Sequence, residues 1–365
     1  MGCGLSVFLK DDVTGVISRA ISSHYLICLN NLYNRLSPAK VMDPVYKDLL
    51  KKQGYSFAGD HTAIKVCEWT KKSLQGNGTC YKEKFYGINC HRCVQMTPVT
   101  NMCAMDCVYC WRDRNEVPFK DKIDDPEQII DACIKAHVHK LQGFKGSPTA
   151  DKAKVSTMER PLHFAISLTG EPTAYPHLAR FIKNLHLRGI SSFLVTNGMF
   201  PEMLKRLEDE QALPTQLYIS FDTPSEELFQ KLGRPDLKDA WERLMRSLDF
   251  LKQAKGKTRT VIRITLVKGM NDKDHEAMAR LLDRIDPDFI EVKSYMYVGA
   301  SRSRLTIKNM PLHQDVLDYS NALSRFCSYK IIDEQPVSRV TLMAKSDNNK
   351  RFMDFDGKKT MFPLD

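Results

Sequence analysis

The sequence predicts an α/β fold in which six strand–helix units curl into a partial (βα)6 barrel of the TIM type. Strand-like runs alternate with amphipathic helical patterns from residue 92 onward, which is typical of βαβ units around a parallel sheet. The size agrees, because such a barrel can occupy most of 365 residues, and 42% hydrophobic with 27% charged side chains is typical of a globular protein. The active site is then expected at the carboxyl ends of the strands.

The predicted strands and helices alternate along the chain. The strands span 92–100, 163–168, 192–196, 216–221, 259–267 and 288–297, and the helices span 125–141, 176–188, 201–210, 239–255, 272–284 and 311–326. The first of these helices places Ile129, Ile130, Cys133, Ile134 and His137 on one face. A final strand is predicted over 338–345, and the basic segment 145–154 is predicted to be an exposed loop because it contains Pro, Gly and Ser.

The domain organisation follows from the same pattern. Residues 1–41 are a leader whose first six residues fit a myristoylation motif, but we interpret it as a poorly ordered extension or an upstream start. The ordered protein is expected to begin with a helix capped by Asp43, with Pro44 at its first position. We then expect an N-terminal segment (42–100), the barrel (92–300), a C-terminal helix and strand (301–345) and a tail (346–365).

Composition narrows the function. The 54 basic against 44 acidic side chains give a net charge of +10, which favours a polyanionic partner. The sequence has no apolar run long enough to span a membrane and no secretory signal. Eleven cysteines in such a chain indicate metal or redox chemistry rather than a disulfide framework, and oxygen-sensitive clusters would place it in a reducing cytoplasm.

Cys103, Cys107 and Cys110 lie on one tight loop with C-x3-C-x2-C spacing. Three thiolates so spaced suit three corners of a [4Fe–4S] cluster and leave the fourth iron without a protein ligand. That iron can bind a substrate or a cofactor. The loop follows the first predicted strand, where a barrel places its chemistry. We call these three cysteines the first trio.

Cys67, Cys80 and Cys93 form a second trio, with twelve residues between each neighbouring pair. Three ligands again predict a cluster with one open iron. Outside both spacings lie Cys90 and four scattered cysteines, which are interpreted as structural thiols: Cys3, Cys28, Cys133 and Cys327.

A zinc ribbon formed by Cys90, Cys93, Cys107 and Cys110 is the alternative. Ribbon knuckles usually carry Gly after the second cysteine, whereas Val94 and Trp111 stand there, and a ribbon would leave three other cysteines without a role.

The first trio, with Tyr109 before its last cysteine, resembles the signature of radical S-adenosylmethionine (radical SAM) enzymes. This resemblance implies a barrel of the radical SAM type with an N-terminal cluster-binding extension. It also implies that the methionine part of the cofactor chelates the open iron, and that an electron from the cluster releases a 5′-deoxyadenosyl radical.

The stretch 67–111 is similar to the tRNA 4-demethylwyosine synthases in their short archaeal form, and the similarity runs from about residue 42 to 340. The matching segments are 82–87, 91–98, 167–172, 195–198, 213–218, 266–269 and 309–315. The resemblance implies a carbon–carbon lyase that joins two carbons of pyruvate to N1-methylguanosine beside the anticodon of phenylalanine tRNA. It implies two [4Fe–4S] clusters and S-adenosylmethionine in a monomer. Longer relatives carry a flavodoxin-like domain, and residues 1–41 of this chain are too few to form one. A separate flavodoxin or ferredoxin is therefore expected to supply electrons.

Pyruvate activation has two implied routes. Lys82 matches the lysine that is the family's candidate for a Schiff base with pyruvate, with Lys84 as the competitor and an exposed, phosphate-attracting lysine as the structural alternative. The open iron of the second cluster could instead bind the carboxylate and keto oxygens as a Lewis acid.

Gly170 and Glu171 resemble the Gly-Glu motif that receives the amino group of S-adenosylmethionine, although a helix N-cap before Pro172 is the alternative. Other groups expected near the cofactor come from barrel geometry and from the cysteine loop: Thr196, Asn197, Ser220 and Tyr109.

The tRNA is expected to be bound through its phosphates and through one extruded base. The phosphate candidates are Lys145, Lys152, Lys154, Arg302, Arg304 and Lys308, and the stacking candidates are Tyr295 and Tyr297. The alternative for each is a solvated charge or a core aromatic. Two other functions also remain open: a radical SAM enzyme acting on a peptide or small molecule, and a non-catalytic iron–sulfur or tRNA-binding protein.

Overall fold

The computed structural model describes residues 44–100, 102–112, 123–348 and 351–353. Its framework is a ten-stranded sheet whose strands follow chain order except at one edge, where β10 lies between β8 and β9. The strands are β1 (Ser56–Phe57), β2 (Ala63–Ile64), β3 (Cys93–Thr97), β4 (His163–Ile166), β5 (Ser191–Thr196), β6 (Gln216–Ser220), β7 (Arg259–Leu266), β8 (Phe289–Ser294), β9 (Lys330–Gln335) and β10 (Val340–Ala344).

The six central strands, β3 to β8, are parallel to one another and neighbours in sequence order. Antiparallel strands flank them on both sides, β2 against β3 and β10 against β8, so the barrel stays open. The predicted partial (βα)6 barrel is therefore confirmed. Three strands were not predicted: β1 and β2 have two residues each, too few to show alternation, and β9 carries mixed polar and apolar residues.

Helices cover the parallel strands. They are α1 (Pro44–Lys52), α2 (Glu68–Leu74), α3 (Tyr81–Tyr86), α4 (Pro126–Leu141), α5 (Lys152–Thr157), α6 (Leu178–Leu187), α7 (Pro201–Asp209), α8 (Glu226–Gly233), α9 (Ala240–Gln253), α10 (His275–Ile285) and α11 (His313–Leu323). The six predicted helices correspond to α4, α6, α7, α9, α10 and α11. Asp43, the predicted cap of α1, lies outside the described residues. None of the helices described combines the length and apolar character that crossing a bilayer requires.

The predicted exposed loop 145–154 is wrong in part. A 3-10 turn ends at Gly146, and α5 begins at Lys152. Asp151 caps α5, because its carboxylate accepts a hydrogen bond from the backbone of Lys154 at 3.2 Å. The Asp at this position was the signal for a helix start, and the short segment carried too little periodicity to confirm it.

Strand residues alternate between two apolar layers. Outward-facing residues such as Val94 and Leu194 pack beneath the covering helices. Inward-facing Phe193 and Tyr218 pack inside the barrel against Phe85 of α3. The short helix α3 therefore fills part of the interior, and the space that remains forms the candidate site.

Candidate active site

A cavity of about 590 Å³ runs through the interior of the barrel, and all six cysteines of the two trios line it. Cys93 begins β3, and Cys67 and Cys80 immediately precede α2 and α3. The first trio lies on the loop that follows the other end of β3. The two trios therefore face one cavity from positions separated by the length of a strand.

The loop of the first trio is held by backbone hydrogen bonds to the end of α8. The amide of Asp106 donates to the Gly233 carbonyl at 3.0 Å, and that of Val108 donates to Leu232 at 2.8 Å. Asn197 adds a side-chain contact, since its Nδ2 lies 3.4 Å from the Cys103 sulfur. This backbone pairing fixes the loop that carries the three thiols.

Arg304 closes the same loop from the other side. Its Nε donates to the Val108 carbonyl and its Nη1 to the Asp106 carboxylate, both at 3.2 Å, and Nη2 donates to the Cys110 carbonyl. The side chain is only 15% exposed. Arg304 was predicted to contact a tRNA phosphate, and in the structure its guanidinium binds the cysteine loop.

Glu171 lies at the carboxyl end of β4 and is 2% exposed. Its Oε1 accepts hydrogen bonds from the Thr173 backbone (3.0 Å) and the Thr196 hydroxyl (2.6 Å), and its Oε2 accepts from the Asn197 backbone at 2.8 Å. Burial raises the pKa of the carboxyl, while these donors favour the charged form. The carboxylate therefore ties the ends of β4 and β5 together, and the N-cap expected as the alternative is present as well.

Gly170 is required by the backbone. It has φ of +66°, and a β carbon there would overlap the carbonyl oxygen of Val99. Its close approach brings the β4 end against the segment leading to the first trio, so the two predicted motifs share one rim of the cavity.

Tyr109 donates its phenolic proton to Asp222, a residue that the sequence analysis missed. The other oxygen of Asp222 accepts from the backbone of Thr265 at 2.7 Å, and burial raises the pKa of Asp222 to about 6. Asp222 follows β6 by two residues, and this strand-end position was the signal that could have found it. Ser220 also lines the cavity.

The three cysteines of the second trio are half-buried and line the cavity together. Burial raises the pKa of Cys80 to about 11 and that of Cys93 to about 12, and each is further influenced by the charge of Cys67. Burial likewise raises the pKa of Cys103 in the first trio to about 12. Burial therefore favours the protonated thiols here, and three sulfur donors lining one wall fit the donor chemistry of an iron–sulfur cluster, which would stabilise them as thiolates.

Cys90, whose role the sequence left open, lies beside Cys80 of the second trio. Its sulfur accepts from the Cys80 backbone at 3.5 Å and contacts the Trp69 carbonyl at 3.8 Å. It is 2% exposed, packs in the interior cluster and lines the same cavity as the trio.

Lys82 faces the cavity from α3. It is 8% exposed, and its ammonium lies 4.6 Å from the ring centre of Tyr218 and 5.0 Å from that of Phe193. Burial lowers the pKa of Lys82, with Glu291 opposing the shift. Lys84 is directed elsewhere, because it pairs with Asp333 at 2.9 Å on the outside of the barrel.

Charged residues within two buried strands complete the wall beside Lys82. Arg263 of β7 pairs with Glu291 of β8, and Lys293 of β8 lines the same cavity. Burial lowers the pKa of Lys293 to about 8. The sequence analysis missed all three, although charged residues at alternate positions of otherwise apolar strands were a usable signal.

Comparison with known proteins agrees with this geometry. The Radical SAM superfamily matches residues 97–282, and Wyosine base formation matches residues 284–345. An S-adenosyl-L-methionine-dependent tRNA 4-demethylwyosine synthase from Pyrococcus abyssi is 44% identical over 317 residues, which cover 85% of this chain and 92% of the relative. This chain belongs to the tRNA 4-demethylwyosine synthase family.

Solved structures and longer relatives extend the comparison. The structure of TYW1 with a lysine-pyruvate adduct bound has a TM-score of 0.75 and 36% identity, covering 87% of this chain and 99% of that one. The 4-demethylwyosine synthases of Oryza sativa and Homo sapiens are 42% and 40% identical, with 85% and 83% of this chain aligned. This chain covers 47% and 41% of their respective lengths.

Within this 4-demethylwyosine synthase fold, the zinc ribbon has no geometric support. Cys90 and Cys93 lie at the start of β3, whereas Cys107 and Cys110 lie on the loop beyond its end. The ribbon would therefore have to join cysteines from both ends of this strand, whose five residues rise by about 13 Å.

The remaining tRNA candidates lie in varied surroundings. Lys145 pairs with Glu159 at 2.7 Å, Lys152 donates to the Ser147 carbonyl at 3.0 Å, and Lys154 donates to the Ser73 carbonyl at 3.3 Å. Lys308 is exposed on a 3-10 turn. These four positions are basic, but three of them have protein partners.

The two predicted stacking residues differ. Tyr295 is 2% exposed and its hydroxyl lies 2.9 Å from the Ser301 hydroxyl, although the residue lines the cavity. Tyr297 is partly exposed, and the Arg302 guanidinium lies 5.2 Å from its ring centre. Of the two rings, only that of Tyr297 has appreciable exposed surface.

Proposed function

We propose that this chain is an S-adenosyl-L-methionine-dependent tRNA 4-demethylwyosine synthase. It takes two carbons of pyruvate and joins them to N1-methylguanosine beside the anticodon of phenylalanine tRNA, as a carbon–carbon lyase. The observation that carries the proposal is Lys82, a buried lysine that opens onto the same cavity as both cysteine trios. An iron–sulfur electron carrier or a tRNA-binding module needs no such lysine.

The first trio is proposed to hold a [4Fe–4S] cluster, with Glu171, Thr196 and Asn197 forming the adjoining wall for S-adenosylmethionine. When bound, this pair supplies a radical that can remove hydrogen from the methyl group of the modified guanine. The chain contributes the fixed loop: backbone bonds to α8 and the Arg304 clamp hold the three sulfurs in place. Tyr109, whose hydroxyl donates to Asp222, is proposed to lie near the adenine of the cofactor.

The second trio is proposed to hold a second [4Fe–4S] cluster. Its three cysteines line the same cavity as Lys82. Burial lowers the pKa of Lys82, and the nearby Cys80 and Cys93 oppose that shift. An open iron there would be the alternative to the imine on Lys82 as the means of activating pyruvate, since it could bind the carboxylate and keto oxygens as a Lewis acid.

Lys82 is proposed to bind pyruvate as an imine. The neutral Nζ attacks the keto carbon of pyruvate, the carbonyl oxygen leaves as water, and a C=N bond replaces C=O. Burial supports this step because it favours the neutral, nucleophilic amine. The aromatic rings of Phe193 and Tyr218 exclude water from the same site.

The tRNA is proposed to approach the cavity beside Met296 and Val298, which line it and flank the partly exposed Tyr297. The methylguanine must leave the anticodon stack to reach a buried radical, and an exposed aromatic ring is a suitable platform for it. We further propose that the protein works as a cytoplasmic monomer with a separate flavodoxin or ferredoxin as reductant.

The deciding experiment is mass spectrometry of nucleosides from N1-methylguanosine-containing tRNA. Reconstituted protein, S-adenosylmethionine, pyruvate and a reductant should yield 4-demethylwyosine carrying two labelled carbons from pyruvate. 5′-Deoxyadenosine should appear only with methylated tRNA. Release of 5′-deoxyadenosine with an unchanged nucleoside profile would instead favour a radical SAM enzyme with another substrate.

A further inference from the structure

Three cationic side chains converge on the part of the cavity next to the second trio. Tyr218 joins two of them, because its ring centre lies 4.6 Å from Lys82 Nζ and 5.3 Å from the Arg263 guanidinium. Tyr81 joins Arg263 to Lys293 in the same way, at 5.6 Å and 5.4 Å. All three cations line the one cavity.

Glu291 is the carboxylate paired with this group, and both of its oxygens already have partners. Oε1 accepts from the Tyr86 hydroxyl at 2.7 Å, and Oε2 accepts from Arg263 Nη2. Glu291 is fully buried. One carboxylate therefore faces three cations in this part of the described structure.

Several N–H groups of these cations have no partner within the described residues. Arg263 Nε is buried without a hydrogen-bond acceptor, and the bonds of the guanidinium to Tyr81 and Glu291 both use Nη2. Lys293 donates once, to the Ser338 carbonyl at 2.8 Å, which leaves two of its three N–H groups. Unpaired buried donors are costly, so this wall is suited to an anion that enters the cavity.

We propose that Arg263 and Lys293 form a carboxylate-binding subsite that holds the carboxylate of the 2-oxo acid while its keto carbon lies at Lys82. The inference rests on the proposed function and deepens it, since it names the residues that distinguish a 2-oxo acid from a neutral ketone. A guanidinium and an ammonium that share one carboxylate give charge-assisted hydrogen bonds, which are the strong ones. The two residues bind and position the substrate; the covalent bond belongs to Lys82.

The test compares pyruvate with pyruvamide, which keeps the ketone and replaces the carboxylate with a neutral amide. Holoprotein is incubated with each compound, reduced with borohydride, and the adduct is quantified by mass spectrometry as a function of concentration. The variants are Lys293→Met and Arg263→Lys; the second keeps a cation beside Glu291 and so avoids an unpaired buried carboxylate. Lys345→Met is the matched control, because Lys345 also lies 5.4 Å from a tyrosine ring but does not line the cavity.

We expect half-maximal trapping of pyruvate to need about 10-fold or more higher concentration in Lys293→Met and Arg263→Lys, with little change for pyruvamide. Lys345→Met should match the wild type. Unchanged selectivity for pyruvate in both variants would overturn the subsite while leaving the proposed function intact.

Iron and sulfide content give the second readout. Loss of one cluster's iron from Lys293→Met would also overturn the subsite, since the cation would then serve the cluster. Failure of the proposed function has a different result: no wild-type adduct with pyruvate and no modified nucleoside.

Discussion

Lys82 and Lys84 lie two residues apart on α3 and have opposite environments. Successive helical positions rotate by about 100°, so residues two apart point in nearly opposite directions. Tyr81, Lys82 and Phe85 are buried, whereas Lys84 is exposed and bound to Asp333. Resemblance alone left both lysines as candidates, and the geometry of the helix favours Lys82.

Borohydride trapping tests this assignment. Wild-type protein and Lys84→Ala should both form a reduced adduct with pyruvate, and Lys82→Ala should form none, because Lys82 lines the cavity whereas Lys84 is bound outside the barrel. The adduct is located by peptide mass spectrometry. Equal trapping on Lys82→Ala would remove Lys82 from the mechanism.

His137 of α4 is a second residue with a measurable consequence. It is fully buried, neither ring nitrogen has a partner among the described atoms, and burial lowers its pKa to about 4. The folded state therefore holds the neutral form, and unfolding lets the ring take up a proton below its ordinary pKa of 6.5. The stability that depends on neutral His137 is complete above pH 6.5 and is lost as the pH falls toward 4.

We expect His137→Leu to remove that part of the acid sensitivity. The difference in unfolding free energy between wild type and variant should shift by about 2 kcal/mol in favour of the variant between pH 7.5 and pH 5. Urea unfolding at both pH values measures it. The other buried histidines are the same in both proteins, so their contributions cancel. A difference in unfolding free energy that does not change with pH would show that His137 is charged or hydrated when folded.

The first-trio loop is the element on which the site depends most. It has no regular structure of its own, and its shape comes from α8 on one side and Arg304 on the other. The spacing predicts which three cysteines form the first trio, because these residues lie close together in the sequence. It does not predict the Arg304 clamp, which joins residues almost two hundred positions apart.

Arg304→Gln should loosen this loop and leave the second trio unaffected. Loss of the guanidinium removes bonds to Val108, Asp106 and Cys110, so we expect chelator-driven loss of iron from the first cluster to become about 10-fold faster or more. Mössbauer or EPR spectra can follow the two clusters separately. Arg302→Gln is the control, because Arg302 is exposed and packs on Tyr297. Equal loss from both clusters, or the same loss in the control, would contradict the assignment.

At the scale of the whole molecule, the strands that carry long, regular patterns were predictable and the interior of the barrel was not. Parallel strands are buried on both faces, so β3–β8 appear as apolar runs between helices. The six-residue helix α3 is too short to show periodicity, yet it brings Lys82 into the barrel. Arg263 lies on β7, and Glu291 and Lys293 lie on β8, far from Lys82 in sequence. The curvature of the open barrel brings them to Lys82.

The two cysteine trios that line the cavity predict the iron content of the whole protein. Two independent trios should bind about eight iron atoms and eight acid-labile sulfides per chain after anaerobic reconstitution. Cys80→Ser removes one corner from the second trio and should lower both counts to about four, while the first cluster keeps its spectrum because β3 separates the two sites. Cys133→Ser serves as the matched control, since Cys133 is a fully buried thiol in the outer core. Four iron atoms in the wild type, unchanged in Cys80→Ser, would remove the second cluster and leave Lys82 as the sole means of activating pyruvate.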